Sequence, residues 1–248
     1  MVMSRAKRAG KAGFNGLATS ACGVHLVGDV PERLCRWGIP PYLDKKRKRA
    51  LARIRERGIL FIHVPKNAGT SICQSLYGMQ TMHHSAVYYA KVAPDVLDLP
   101  SFAVVRDPAE RFLSAFRYAR AGGTADRKVA PPFRRKYSRF QGVDDAIVHL
   151  EQARNIYDLD YLFRPQAWFL QDATGKPAID HLVPYSRIDS IAALPGIDGL
   201  DDIPRLNASR PGGMELDCRQ RSFIREYFAE DYRLLDRARS SMAAGSGK

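Results

Sequence analysis

Two mostly apolar runs, each followed at once by a polar turn, dominate the hydrophobic pattern of the chain. They are residues 59–64 (ILFIHV) and 101–105 (SFAVV). Short apolar runs bounded by turn residues are typical of strands covered on both faces of a parallel sheet. Residues 179–188 are predicted to form a third strand. The pattern therefore predicts an α/β fold with a central parallel sheet flanked by helices.

Helical periodicity and punctuation residues predict the elements around these strands. Helices are expected at residues 42–57, 71–78, 107–118, 143–154, 164–170, 218–228 and 231–239. Residues 124–139 are basic and contain two adjacent prolines, which predicts an exposed, mobile loop. The expected division is a basic, partly flexible extension at 1–57, with its helix near 42–57, an α/β domain at 58–239 and a disordered tail at 240–248.

The turn after the first predicted strand has the composition of an anion-binding loop. Residues 65–71 (PKNAGTS) lead from the strand into a helix, whose first backbone N–H groups lack partners within the helix. These groups and the helix dipole attract negative charge, and Lys66, Thr70 and Ser71 add further donors. An ordinary strand–helix connection has the same outline, but this donor set favours an anion site. Because Lys66 precedes Gly69 and no leading glycine is present, the loop does not match the P-loop of magnesium–nucleotide enzymes.

The turn after the second predicted strand supplies a second candidate anion site. Arg106 ends that strand, Asp107 suits a helix N-cap and Pro108 suits the first helical position. Ser114 follows two turns later, and an arginine with a serine can bind a phosphate through charge-assisted hydrogen bonds. Parallel strands present their carboxyl ends at one edge of a sheet, so both turns are expected there. Two anion sites suit a nucleotide that carries phosphate at both ends of its ribose.

These two motifs resemble those of the sulfotransferase 2 family of carbohydrate sulfotransferases. Residues 61–71 (FIHVPKNAGTS) look like the family's 5′-phosphosulfate loop, and residues 106–116 (RDPAERFLSAF) look like its 3′-phosphate motif. Weaker similarities lie at residues 165–170, 206–209 and 227–232. The resemblance extends from about residue 58 to residue 236.

The resemblance implies a P-loop-NTPase-like three-layer sandwich and 3′-phosphoadenosine 5′-phosphosulfate (PAPS) as sulfuryl donor, without a metal. The implied 5′-phosphosulfate ligands are Lys66, Asn67, Ala68, Gly69, Thr70 and Ser71, and the implied 3′-phosphate ligands are Arg106 and Ser114. Lys66 would also act in catalysis, by neutralising charge that develops on the bridging oxygen. The family often has threonine where Asn67 stands, and the loop backbone is expected to do most of the binding.

A general base is expected between the two motifs. His84 is the predicted base, because histidine titrates near neutrality and related enzymes often carry a histidine in this region. His83 is its neighbour and could hold the role instead, and both could simply lie in a polar connection. His63 lies within the first strand and is expected to be structural, as are His149 and His181.

The net charge of the chain indicates the kind of partner that it binds. The 248 residues include 39 Lys and Arg against 26 Asp and Glu, a formal net charge of +13. This charge fits a hydroxyl-bearing, anionic acceptor such as an acidic glycan, and the basic helix near 42–57 could contact an anionic membrane surface. Nucleic acid is a less favoured partner. Binding of acidic glycan or nucleic acid without catalysis, and a nucleotide kinase, are the alternative functions.

The cysteines and the lengths of the apolar runs predict the compartment. Cys22, Cys35, Cys73 and Cys218 form no C-x-x-C pair, which predicts reduced thiols in a cytoplasmic protein. No apolar run approaches the ~20 residues that a membrane-spanning helix needs. The interrupted apolar segment at 12–30 makes a poor signal peptide.

Overall fold

The computed structural model describes residues 15–197 and 214–245. Its centre is a three-stranded parallel sheet in the order β1-β2-β3. The strands are β1 (Leu60–Phe61), β2 (Ser101–Val105) and β3 (His181–Pro184). Helices flank this sheet, which confirms the predicted α/β class.

The helices are numbered in chain order from the first fully described one. They are α1 (Asp29–Arg36), α2 (Lys45–Arg57), α3 (Gly69–Tyr77), α4 (Ala86–Val92), α5 (Pro94–Leu97), α6 (Pro108–Arg120), α7 (Pro131–Tyr137), α8 (Val143–Glu151), α9 (Gln166–Leu170), α10 (Cys218–Tyr227) and α11 (Ala229–Gly245). Two 3₁₀ helices lie at Ile156–Asp158 and Tyr185–Ala193, and residues 15–21 are also helical.

The strands lie where the apolar runs predict them, but two of them are shorter. Residues 59–64 are all buried, whereas only Leu60–Phe61 belongs to the ladder, in register with Ser101 and Phe102. β2 has the predicted bounds and every residue of it is buried. β3 stops at Pro184, where the chain turns into a 3₁₀ helix, since proline has no N–H for a ladder and fixes φ.

Two segments outside the predicted helices contain helices. The connection between the two motifs includes α4, whose first turn is capped by the Ser85 hydroxyl. The predicted loop at 124–139 includes α7, which buries Phe133 and Tyr137 against the core. In both cases tertiary burial of aromatic side chains outweighs the weak local helical pattern.

The C-terminal helix is longer than the sequence predicts. α11 continues to Gly245, so residues 240–245 extend the helix where a disordered tail was expected. Met, Ala and Ala at 242–244 are good helix formers and carry the helix beyond residue 239. The weak motif at 206–209 and residues 246–248 lie outside the described residues.

The segment before the predicted domain is packed against it. Asp29 and Glu32, both on α1, are 0% exposed. Asp29 accepts two hydrogen bonds from the guanidinium of Arg164, at 2.7 and 2.6 Å. α1 also packs on α4. The boundary at residue 57 stays a prediction, but residues 29–36 are part of the folded core.

Candidate functional site

The turn from β1 into α3 forms a compact loop with two residues in the left-handed region. Lys66 has φ 71° and Ala68 has φ 59°, a conformation that costs a non-glycine residue about 1–2 kcal/mol. Ala68 is the N-cap residue of α3 and makes no side-chain capping bond. The first turn of α3 therefore keeps N–H groups that can bind an anion.

Gln166 joins this loop to the end of β2. Its side-chain oxygen accepts hydrogen bonds from Asn67 Nδ2, at 2.6 Å, and from the backbone N–H of Arg106, at 3.0 Å. Its Nε2 donates to the carbonyl oxygen of Arg106 at 2.8 Å. Asn67 also donates to the carbonyl oxygen of Val104 at 2.7 Å and is 1% exposed. The amide nitrogen of Asn67 is thus committed to holding the loop, whereas its Oδ1 is buried without a hydrogen-bond partner among the described residues.

Two further buried charges support the same region. Arg111 on α6 donates from Nε to the carbonyl oxygen of Pro65 at 3.1 Å. Asp231 on α11 accepts from the backbone N–H groups of Gln166 and Ala167, both at 2.8 Å. Burial lowers the pKa of Arg111 to about 10, and it raises the pKa of Asp231 above its usual value. The Arg111 contact thus supports the loop at Pro65, and the Asp231 contacts hold the backbone of Gln166 in place.

Lys66 lies in a strongly positive and partly apolar environment. Its Nζ is 4.4 Å from the centre of the Tyr118 ring. Burial, followed by the positive charges of Arg106, Arg111 and Arg117, lowers the pKa of Lys66 to about 8. The positive charges of these three arginines near Lys66 give the site an electrostatic preference for an anion.

Arg106 lies beside the Lys66 loop, as expected if the turns after β1 and β2 lie at the same edge of the sheet. Its Nη1 donates to the carbonyl oxygen of Lys66 at 3.4 Å, and its guanidinium carbon is 4.5 Å from the centre of the Tyr185 ring. Glu110 accepts from its Nε at 3.3 Å. Ser114 is buried on α6, one turn after Arg111 on the same face. The roles of Arg106 and Ser114 with a ligand stay predictions.

The start of α3 packs directly on the His63 ring. A Cβ added to Gly69 would lie 1.9 Å from His63 Cδ2, so only glycine fits here. Burial, together with the charges of His83 and Arg127, lowers the pKa of His63 well below its usual range. His63 is therefore a neutral packing residue, in agreement with the structural role that the sequence predicts. Thr70 and Ser71, predicted ligands, lie in the first turn of α3.

The two candidate bases point to different neighbours. His83 is half-buried, and its Nδ1 lies 3.1 Å from the carbonyl oxygen of His63. A carbonyl can only accept, so Nδ1 carries the proton and Nε2 is left as a basic nitrogen. Burial, opposed by that hydrogen bond, lowers the pKa of His83 to about 4. Its ring centre is 4.2 Å from that of His63, which itself lies against Gly69.

His84 is turned toward α1. Its Nδ1 lies 2.9 Å from Glu32 Oε1, and its ring stacks on Tyr88 at 3.6 Å between centres. Nε2 of His84 is buried and has no hydrogen-bond partner among the described residues. Glu32 also binds Ser85 through both the backbone N–H and the hydroxyl. Sequence patterns do not identify Glu32 or Gln166 as partners, because both lie far along the chain from the residues they hold.

Within residues 15–197 and 214–245, no group of three or more His, Cys, Asp or Glu side chains is placed to hold a metal ion. None of the helices in these ranges is both long and apolar enough to cross a membrane. All four cysteines are free thiols, and Cys218 alone among them is exposed.

Fold and site together define an α/β protein with a candidate anion-binding loop at the carboxyl edge of its sheet. The family model described as the sulfotransferase family matches residues 52–236. The chain therefore belongs to the sulfotransferase family, in agreement with the motifs at 61–71 and 106–116. Comparisons with curated proteins and with solved structures gave no significant match. Family membership supports sulfuryl transfer in general and a P-loop-like fold.

Proposed function

We propose that this sulfotransferase uses PAPS as its donor and a carbohydrate hydroxyl as its acceptor. The observation that carries the proposal is the Gln166 bridge, since it holds the two turns that would bind the two ends of the donor. Asn67 and Arg106 bond the same Gln166 oxygen, at 2.6 and 3.0 Å. One turn leads into a helix N-terminus with Lys66, and the other begins with Arg106. A donor with phosphate groups at both its 3′ and 5′ positions would contact both turns.

The chemistry follows from this arrangement. The acceptor oxygen forms a bond to sulfur while the bond between sulfur and the 5′-phosphate oxygen breaks. Lys66 would neutralise the charge that develops on that oxygen, and the N–H groups of residues 68–70 would hold the 5′-phosphate, since the N–H of Ser71 donates to the Ala68 carbonyl oxygen. Most of the catalytic effect would come from positioning and charge stabilisation.

The proton of the acceptor hydroxyl needs a base, and the geometry favours His83 over His84. The hydrogen bond to the His63 carbonyl leaves Nε2 of His83 as the basic nitrogen. By contrast, the only basic nitrogen that the Glu32 contact leaves on His84 is buried. Burial is the largest cause of the His83 pKa of about 4, and the positive charges of Arg127 and Arg111 lower it further. A bound polyanionic donor would offset the effect of these charges and so raise the pKa.

Calorimetry with the product 3′,5′-bisphosphoadenosine tests the donor. We expect the wild-type protein to bind this nucleotide, and Arg106→Ala to weaken binding by about 10- to 100-fold, the effect of losing a charge-assisted hydrogen bond. Adenosine 5′-monophosphate lacks the 3′-phosphate, so its affinity should be the same in both proteins. Equal losses for both nucleotides would contradict the assignment of Arg106 to the 3′-phosphate. Tighter binding of ATP than of the bisphosphate would contradict the proposed donor.

Transfer of labelled sulfate from PAPS to a panel of carbohydrates then tests the reaction. Transfer to at least one hydroxyl-bearing carbohydrate is expected, and donor binding without transfer to any member would favour a binding protein.

A cytoplasmic location and contact of α2 with an anionic surface belong to the same proposal. They are supported by the cationic residues along Lys45–Arg57 and by the free thiols.

A further inference from the structure

α1 precedes the part of the chain that matches the family, yet it is built into the surroundings of the candidate base His83. The family match begins at residue 52, whereas α1 spans Asp29–Arg36. Asp29 and Glu32 are both completely buried on this helix. A buried carboxylate is costly unless several donors bond it, so the donors of these two groups show what α1 holds in place.

Glu32 fixes the chain immediately after His83. Its Oε1 accepts from the backbone N–H of Ser85 at 3.0 Å and from Nδ1 of His84 at 2.9 Å. Its Oε2 accepts from the Ser85 hydroxyl at 2.6 Å. One carboxylate thus binds three donors of the two residues that follow His83. The backbone of His83 cannot shift far without breaking at least one of these hydrogen bonds.

Asp29 acts on the ring of His83, through Tyr161. Asp29 bonds the guanidinium of Arg164 with both oxygens, and it also bonds the hydroxyl of Tyr161. A Cβ added to Gly28, the N-cap residue of α1, would overlap that hydroxyl, so the start of α1 lies directly against it. The Arg164 guanidinium carbon lies 4.5 Å from the centre of the Tyr161 ring. The Tyr161 ring, held in this way, has its centre 5.8 Å from that of His83.

The hydrogen bond that sets the tautomer of His83 depends on both of these supports. Nδ1 of His83 donates to the carbonyl oxygen of His63 at 3.1 Å. This bond keeps the proton on Nδ1 and leaves Nε2 as the basic nitrogen. It forms only when the backbone and the ring of His83 are both correctly placed. Glu32 constrains the backbone, and Tyr161 constrains the ring.

We propose that α1 positions the general base. Glu32, together with Asp29 acting through Tyr161, holds His83 in the orientation and the tautomer that leave Nε2 basic. This inference rests on the proposed role of His83 in the reaction. Neither carboxylate contacts the reacting atoms, so Asp29 and Glu32 are positioning residues. A helix outside the matched region would then be needed for turnover as well as for stability.

The variant Glu32→Gln tests the proposal. An amide keeps the size of the side chain but has one acceptor oxygen in place of two, so the three hydrogen bonds cannot all be kept. We expect the turnover number with labelled PAPS, per folded molecule, to fall by about 10- to 100-fold, the effect of a slightly misplaced reacting group. The affinity for bisphosphoadenosine should be unchanged, because α1 does not support the two turns that would bind it.

Asp180→Asn is the matched control. Asp180 Oδ2 accepts from both the backbone N–H and the hydroxyl of Ser101, at 2.8 Å each, as Glu32 does from the same groups of Ser85. Ser101 begins β2, so this pair lies at the end of the strand opposite to Arg106. The control should lower stability in urea and leave the turnover number of the folded protein unchanged. Equal losses of turnover in Glu32→Gln and Asp180→Asn would overturn the proposal.

The tautomer of His83 gives a readout that a merely structural role of α1 would not change. Nitrogen chemical shifts of isotope-labelled histidine report which ring nitrogen carries the proton, and the His83 signal is the one missing from His83→Asn. At neutral pH we expect the Nδ1–H form in the wild type and in Asp180→Asn. In Glu32→Gln we expect a mixture with the Nε2–H form. Lowered turnover in Glu32→Gln with an unchanged His83 tautomer would overturn the role of Glu32.

Tyr161→Phe tests the second support and serves if Glu32→Gln does not fold. It removes the hydroxyl that Asp29 holds and keeps the ring beside His83. The turnover number should fall and the His83 tautomer should shift in the same direction as in Glu32→Gln. An unchanged tautomer in folded Tyr161→Phe would overturn the role of Asp29. Because the tautomer is measured without turnover, failure of the wild type to bind bisphosphoadenosine would overturn the proposed function and leave the positioning result standing.

Discussion

Glu32 accepts a hydrogen bond from Nδ1 of His84 at 2.9 Å, across 52 residues of sequence. Its two oxygens also bind the backbone N–H of Ser85, at 3.0 Å, and the Ser85 hydroxyl, at 2.6 Å. Burial opposes the charged carboxylate, but these hydrogen bonds outweigh it and lower the pKa of Glu32. Because Glu32 precedes the matched family region, a residue outside that region holds the segment with the candidate bases.

Replacing Glu32 with alanine should lower the free energy of unfolding by about 3–5 kcal/mol, because the change leaves buried donors without an acceptor. Urea denaturation measures this loss. Glu56→Ala is the control, since Glu56 is an exposed residue bonded to Arg53 and should cost less than about 1 kcal/mol. Because folding lowers the pKa of Glu32, its carboxylate stabilises the folded protein at pH values above the unfolded pKa of 4.5. The difference in free energy of unfolding between wild type and Glu32→Ala should therefore shrink as the pH falls below 4.5. If Glu32→Ala and Glu56→Ala had equal free energies of unfolding, α1 would contribute little to the stability of the fold.

Replacement of the two histidines in turn should identify the base. We expect His83→Asn to lower turnover by about 10²- to 10⁴-fold with little change in bisphosphoadenosine affinity, as for loss of a general base. His84→Asn removes an imidazole that lies against Glu32, and it should act mainly on stability. Turnover with labelled PAPS and urea denaturation of both variants measure this difference. If His84→Asn has the larger effect on turnover at unchanged stability, the base is His84, as the sequence predicts.

Donor-product binding should depend on pH through Lys66. The pKa of its ammonium is about 8 in the free protein, and a bound anion favours the charged form. Affinity for bisphosphoadenosine should therefore be constant below pH 8 and fall above it, by at most about 10-fold per pH unit. Calorimetry between pH 6.5 and 9.5 measures the curve. Lys66→Met should weaken binding at all pH values and remove the inflection, and an inflection that persists in this variant would assign it to another group.

Local patterns predicted the two turns of the candidate site better than the contacts that support them. The helix N-terminus after Lys66 and the cap of α6 at Asp107 follow from residues adjacent in sequence, and both lie where the sequence places them. Short-range rules suffice for such features, because their partners are a few residues away. The sequence also indicated that both turns would lie at one edge of the sheet, and the contact of Arg106 with the Lys66 carbonyl agrees.

The supports of the site depend on contacts between distant residues, which no local pattern specifies. Gln166 lies 99 residues from Asn67, and Asp231 lies 65 residues from Gln166. α7 was missed for a related reason, because only tertiary packing reveals that Phe133 and Tyr137 are buried. A buried partner with long sequence separation is visible only once the fold is known.

Gly69→Ala tests whether the contact between α3 and His63 sets the geometry of the anion loop. The added Cβ would lie 1.9 Å from His63 Cδ2, so either the ring or the first turn of α3 must move. We expect stability to fall by about 1–3 kcal/mol, as for overpacking, and bisphosphoadenosine affinity to fall at least 10-fold as the N–H groups shift. Gly16→Ala is the control, because nothing lies within 4 Å of its added Cβ. The double variant Gly69→Ala/His63→Ala removes the obstructing ring and should recover part of the affinity. If the losses of affinity caused by Gly69→Ala and by His63→Ala simply add in the double variant, the clash between the added Cβ and the His63 ring is not the cause of the weaker binding.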